Sequence, residues 1–235
     1  MLEYNQVVER LKEINSMKFV KTHRKGKTGI GKTIEDLIGI KENNIAGPDA
    51  QMMEIKSARK NSPSMLTLFT KSPLPEGVNS VLLQNFGYTT PKSRGKKELH
   101  STVNAKTFNN LKGKNGLKAN VKEDRIELIT PDLKAWAYWD KQTLKDCFER
   151  KLPRLMYIKA EHRGSGSNEE FWFNEAWLLS EFDFENLIKL LKEGVILIDI
   201  RIGQYPDGRP HDHGTGFRVL PDKLELCFAE RKRII

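Results

Sequence analysis

Cysteine is scarce. The chain of 235 residues has 2, Cys147 and Cys227, with no CxxC spacing. A disulfide framework and a cysteine-built zinc site are unsupported, and a reducing compartment is the default. Long apolar runs are also missing. The most apolar stretch, Val195-Ile196-Leu197-Ile198-Asp199-Ile200, is far too short to span a bilayer. Met1-Leu2-Glu3-Tyr4-Asn5 lacks the basic start and apolar run of a signal peptide, so a cytoplasmic protein without membrane association is expected. No internal repeat is visible. Acidic residues are outnumbered, 31 Asp and Glu against 40 Lys and Arg, for a formal charge of +9. That balance favours a polyanionic partner, nucleic acid first and an anionic membrane surface second.

What is present suffices for an ordinary core. Hydrophobic residues make up 38% of the chain, enough for one large domain or two lobes sharing a sheet. Val7, Val8, Leu11 and Ile14 recur at helical spacing over 3–15. The stretch from His23 to Thr33 is rich in glycine and cations and reads as a basic loop. Gly26 and Gly31-Lys32-Thr33 fit GxxxxGKT, but no buried apolar strand precedes them and no second NTPase motif follows. Thr33 is placed to N-cap a short helix over 34–40, with Asp36 in the capping-box position. Strands are expected over 65–70, 155–160, 170–178, 195–202, 216–220 and 224–228, with a hairpin and a further strand between 121 and 139. Helices are expected over 141–152 and from Asp183 to Glu193, the latter closed by Gly194. Trp136 and Trp139 are core candidates. Residues 74–120, with Lys92, Arg94, Lys96 and Lys97, read as a mobile basic surface insertion that contains His100. The mixture of strands and helices, without strict alternation, predicts an α+β fold with a mixed sheet.

Two clusters carry chemistry. The first is Pro48-Asp49-Ala50-Gln51-Met52-Met53-Glu54-Ile55-Lys56. Asp49 sits at a turn marked by Gly47-Pro48. On a strand, Glu54 and Lys56 share one face while Ile55 points into the core. Two carboxylates and a backbone carbonyl can hold a hard divalent cation such as Mg²⁺. An adjacent lysine can orient the attacking water or offset charge on a phosphoryl transition state. The bland alternative is a solvated hairpin with incidental charges. The second cluster runs from Arg201 through His211-Asp212-His213 to Arg218. It reads as a metal site short of ligands, as a structural turn, or as a set for base-edge readout. Arginine pairs with guanine, aspartate accepts from the cytosine amino group, and histidine donates to purine acceptors.

Together the clusters resemble the MvaI/BcnI-type restriction endonucleases, relatives of the mismatch-repair nickase MutH. The similar segments are Arg24-Lys25-Gly26, Thr28 to Leu37, Pro48-Asp49 with Glu54-Ile55-Lys56, and Leu66 to Pro73. Near the C-terminus they are Asp199 to Gly203, His211 to Thr215, and Phe217-Arg218. The resemblance implies a PD-(D/E)xK nuclease fold, with a catalytic lobe over about 1–165 and a recognition lobe over 166–235 flanking a DNA cleft. It implies one or two Mg²⁺ ions held by Asp49, Glu54 and the Ile55 carbonyl, with Lys56 assisting the water and Glu35 in support. It assigns Arg201, His211, Asp212 and Arg218 to recognition, beside His213 and a loop histidine, His100. The loop at 23–33 with Lys25, Lys27 and Lys32, Lys71, and the 92–97 cluster are the expected phosphate contacts, which position the protein without reading sequence. The implied activity is that of a monomer cutting double-stranded DNA at a site of CC-N-GG form, one strand and then the other. A companion DNA methyltransferase is not visible in the sequence. A MutH-like nickase, a non-catalytic DNA-binding module and a nucleotide-binding enzyme using 26–33 remain the alternatives.

Overall fold

The structure, a computed structural model, describes residues 3–40, 53–152 and 154–235. The first elements are α1 (Tyr4–Ser16), β1 (Val20–Lys21), α2 (Gly29–Ile38), β2 (Glu54–Arg59), β3 (Leu66–Thr70) and α3 (Val78–Phe86). Then come β4 (Leu99–Val103), β5 (Asn110–Leu111), β6 (Lys114–Asn115), β7 (Lys118–Val121), β8 (Arg125–Ile129), β9 (Ala135–Asp140) and α4 (Lys141–Lys151). The chain closes with β10 (Leu155–Arg163), β11 (Glu170–Ser180), α5 (Phe184–Lys192), β12 (Ile196–Gln204), β13 (Pro210–Asp212), β14 (Gly216–Val219) and β15 (Glu230–Arg233). Among the described residues no helix is long and apolar enough to cross a membrane.

Two compact units form. One comprises 1–64, 150–182 and 228–235, the other 65–149 and 183–227. The expected boundary at 165/166 does not coincide with this partition. It falls in the turn between β10 and β11, which pair along almost their whole length.

In the first unit the sheet runs β1-β11-β10-β2, with β15 also on β11. The β2–β10 pair is parallel and the others antiparallel. Alternation separates its two faces. Ile55, Met156, Ile158, Ala160 and Phe171 pack against Val7, Leu11 and Ile14 of α1 and Ile30, Ile34 and Ile38 of α2. A bulge at Lys159/Ala160 lets Phe173 and Ala176, three apart, join that same apolar layer. The opposite face carries Glu54, Lys56, Tyr157, Lys159, Glu175 and Trp177, in cross-strand register. An apolar face under helices therefore fixes where the charged face must lie.

α2 begins well before the expected helix and absorbs half of the basic loop. Its buried Ile30, Thr33, Ile34 and Ile38 form one stripe. Thr33 does not cap it: the Thr33 hydroxyl donates to Gly29 O at 2.7 Å and accepts from His23 N at 3.0 Å, inside the helix. The apolar stripe outweighs the helix penalty of two glycines.

In the second unit, β12 is flanked by β4 on one edge and by β13 and β14 on the other, with β3 beyond β14. β7-β8-β9 form a separate antiparallel sheet. Phe69 stacks on Phe217 with centroids 4.7 Å apart, and Trp139 meets Phe217 edge-on at 5.8 Å. Asp183 caps α5 through Asn186 N at 2.7 Å, and Gly194, at φ +73°, follows its end as expected. Three expectations fail here. Residues 74–120 are not a surface insertion: Leu99 and Val103 are fully buried and β4 pairs along β12. Trp136 is only half-buried, with Lys134 over its ring. Residues 221–226 form a 3-10 turn started by Pro221, not a strand, and the last strand is β15. Leu224 and Leu226 imitate strand alternation, yet only Leu224 is buried.

Candidate active site and recognition face

The β2 register brings Glu54 and Lys56 onto the charged face of the first unit. Glu54 is only 3% exposed. Its Oε1 accepts from Lys56 Nζ at 2.5 Å, and its Oε2 lies 3.7 Å from Lys151 Nζ. Oε2 is buried and accepts no hydrogen bond. A buried carboxylate oxygen left without a donor is costly, and it is the kind of oxygen a hard divalent cation takes as a ligand. The described part of the expected donor set thus fits such an ion. Asp49, with the turn at Gly47-Pro48, lies outside the described residues. Among the described residues no group of three His, Cys, Asp or Glu side chains is arranged to hold a metal.

Beside this pair, Tyr157 is in register with Lys56 on β10. Burial first, then Glu175, pushes its hydroxyl up to about 12, so it stays neutral and protonated. Glu175 receives Trp177 Nε1 at 2.8 Å and Lys159 Nζ at 3.0 Å. Burial works to raise its carboxyl, but those donors outweigh it and the net shift is downward. Glu35 sits on α2, on the helix side of β2: its Oε1 and Ser57 Oγ lie 3.8 and 3.9 Å from where a Cβ on Gly31 would stand.

The basic loop before α2 is tethered to the sheet. Arg59 grips Glu169 through two nitrogens at 2.6 and 2.8 Å and reaches Gly26 O and Lys27 O at 3.4 Å each. Arg59 holds the Glu169 carboxyl below the usual carboxylate range. Lys25 and Lys27 are exposed on this loop. Lys32 instead pairs with Asp36 at 2.8 Å along α2, which weakens its case as a phosphate contact. Lys71, in the second unit, is half-buried; its carbonyl accepts from Trp139 Nε1 at 2.9 Å.

The second unit gathers most of the expected recognition set on one sheet face. Asp199, Arg201 and Gly203 alternate along β12, with Thr102, His100, Gly216 and His211 as cross-strand partners. Asp199 is fully buried. Its Oδ2 takes Arg201 Nε at 2.8 Å and Arg218 Nη1 at 2.9 Å, and its Oδ1 accepts from Thr102 Oγ1 at 3.1 Å. Burial lowers the Arg218 guanidinium from its ordinary value and Asp199 opposes that. Arg218 Nε is buried without an acceptor.

Along the same face, Tyr205 stacks on His211 at 4.4 Å, His211 meets His213 at 4.1 Å, and His213 meets His100 at 6.5 Å between centroids. His100 is therefore a strand residue beside Arg201, not a loop residue. Burial, then His211 and His100, lower the His213 pKa, which favours the neutral ring. His213 fits because Gly203 has no side chain: a Cβ there would stand 2.9 Å from His213 Nε2. Asp212 departs from the set. It pairs with Ile202 in register and its Oδ2 accepts from Ser72 Oγ at 2.6 Å and Asn79 Nδ2 at 2.8 Å, while Oδ1 accepts from Gly214 N at 2.8 Å. Strand alternation turns it away from its two histidine neighbours, and its acceptors are occupied. Asp199, Tyr205 and Lys151 were not among the expected site residues. A charge within the Val195–Ile200 apolar run was the available signal for Asp199.

A mixed α+β fold with a Glu-x-Lys strand over helices, and an arginine–histidine face on a second sheet, defines a nuclease of the restriction-endonuclease class. The structure matches that of the restriction endonuclease MvaI in complex with cognate DNA substrate, with TM-score 0.88, 33% identity and 100% of both chains covered. It matches MvaI in the absence of DNA with TM-score 0.60, 32% identity, and 100% and 99% coverage. The sequence profile of the MvaI/BcnI restriction endonuclease family matches residues 8–228, and the chain belongs to that family, as a type II restriction endonuclease. A comparison with curated protein sequences found no match.

Proposed function

We propose that this chain hydrolyses phosphodiester bonds of double-stranded DNA with Mg²⁺, at a short G·C-rich, nearly palindromic site of CC-N-GG form. It acts as a monomer that cuts one strand and then the other. The observation that carries this reading is the buried, open Oε2 of Glu54 beside Lys56 on β2. Glu54 and the Ile55 carbonyl, with Asp49, would hold the ion. When bound, the ion supplies Lewis-acid polarisation of the phosphate and a more acidic water. Lys56 orients that water and offsets the negative charge that grows on the phosphate. The burial of Glu54 and the hydrogen bond from Lys56 hold its carboxylate in place. Glu35, on the helix side of β2, supports from behind the strand.

Sequence reading falls to the second unit. Arg201 and Arg218 are held at a common carboxylate with part of each side chain still exposed, an arrangement that suits guanine edges. Neutral His213 offers one donor and one acceptor to a base. The net charge of +9 supports salt-dependent backbone affinity, with Lys25 and Lys27 as the favoured phosphate contacts.

The test is incubation of the purified chain with unmethylated plasmid in Mg²⁺ and in EDTA, with the fragment ends sequenced and the sedimentation mass measured in the same buffer. Discrete Mg²⁺-dependent fragments ending at one G·C-rich motif, from a species of one chain, are expected. Nicks alone would favour a strand-nicking repair enzyme. DNA binding without any cleavage would favour a binding module and overturn the reading.

A further inference from the structure

Lys151, the last residue of α4, is picked out neither by the strand motif nor by the family resemblance. Yet its Nζ stands 3.7 Å from Glu54 Oε2, on the oxygen that Lys56 does not use. That separation is too long for a hydrogen bond and short enough for a strong charge interaction. The two oxygens of Glu54 are thus held differently. Oε1 is hydrogen-bonded, whereas Oε2 is neutralised by an ammonium that does not saturate it. We infer that Lys151 is a placeholder for the metal ion: its ammonium balances Glu54 Oε2 in the metal-free protein and withdraws when a divalent cation takes that oxygen.

This rests on the reading of Glu54 as a metal ligand and adds what controls the occupancy of that ligand. A divalent cation held by Oε2 would compete with Nζ for the same oxygen, and the two like charges would repel. Lysine suits the exchange. Its charge rides on a flexible four-carbon stem, and the Lys151 side chain is 29% exposed, so a route to solvent exists. Lys56, hydrogen-bonded to the other oxygen, has no need to move. Lys151 is accordingly a positioning residue: it acts through Glu54, balancing the charge at Oε2 in the metal-free protein, and it sets a threshold on cation binding.

The experiment is titration of the full chain with Mn²⁺, followed by electron paramagnetic resonance and by thermal unfolding, for the wild type and for K151M, K151R and E54Q. Wild type is expected to bind Mn²⁺ and E54Q to lose most of that binding. K151M is expected to bind about tenfold more tightly, because a competing charge some 4 Å away is removed. Its metal-free form is expected to melt below wild type and to gain more from Mn²⁺. K151R, which keeps the charge, is expected to return the Mn²⁺ affinity to within about twofold of wild type. If K151M does not fold, K151Q carries the same comparison. Unchanged or weaker Mn²⁺ binding in the folded Lys151 variants, with E54Q still defective, overturns the placeholder role alone. Absence of Mn²⁺ binding in wild type, or binding indifferent to E54Q, overturns the metal-ligand reading beneath it.

Discussion

Each unit of this enzyme has a buried strand carboxylate with a cation two residues later: Glu54 with Lys56, Asp199 with Arg201. A second cation comes from elsewhere in the same unit, Lys151 to Glu54 and Arg218 to Asp199. The difference lies in saturation. Asp199 accepts from both arginines and from Thr102, so both of its oxygens are occupied. Glu54 keeps one buried oxygen without a hydrogen bond. A planar guanidinium fixes direction at a carboxylate even through one nitrogen, whereas a lysine supplies charge without fixing direction. The saturated carboxylate is a scaffold that aims two guanidiniums. The unsaturated one keeps an oxygen open for the proposed metal ion.

That contrast can be broken at either end. The largest effect is expected from Glu54→Gln. Cleavage should fall by on the order of a thousandfold or more, since the proposed metal ligand is lost, while gel-shift affinity for target DNA stays near wild type. Equal losses of binding and cleavage would mean that Glu54 shapes the DNA surface instead. Asp199→Asn comes next. It leaves two arginines without their carboxylate, and denaturant unfolding should show a loss of about 1–3 kcal/mol, together with eroded discrimination between cognate and near-cognate sites. A destabilised variant with undiminished discrimination would show that the arginines need no aiming. Arg218→Ala should cost about 1–3 kcal/mol of discrimination at one base pair if it contacts guanine, measured by comparing cleavage of single-mismatch duplexes. Smallest is Asp212→Asn. The hold on Ser72 and Asn79 weakens, with about 1 kcal/mol of stability lost, but the ratio between cognate and near-cognate cleavage should not move. A change in that ratio would return Asp212 to the reading set.

Much of the chemistry was legible in the chain, and the misses share a cause. Glu54 and Lys56 were readable because strand alternation is local: two residues apart means one face. The same rule would have separated Asp212 from His211 and His213, but the sequence reading kept all three in one recognition set; the structure pairs Asp212 with Ser72 and Asn79 instead. Thr33 was misread because a cap and a helix-interior threonine look alike in sequence. The register of Ile30, Ile34 and Ile38 against Ile55 and Ile158 decides between them. Residues 74–120 looked like a loop because turns and lysines dominate them. The pairing of β4 with β12 joins residues about a hundred positions apart, which no local pattern encodes.

By itself the sequence determined the amphipathic faces of α1, α5, β2 and β12, the positive charge, and the family, because periodicity and motif spacing are local properties of the chain. Tertiary structure alone decided that 65–149 and 183–227 form one unit, that His100 joins the histidine row, and that Lys151 reaches Glu54. Those outcomes depend on which distant strands pair and which helix end falls beside which carboxylate. They are fixed by the burial of apolar faces across the whole fold, so they appear only when the core is assembled.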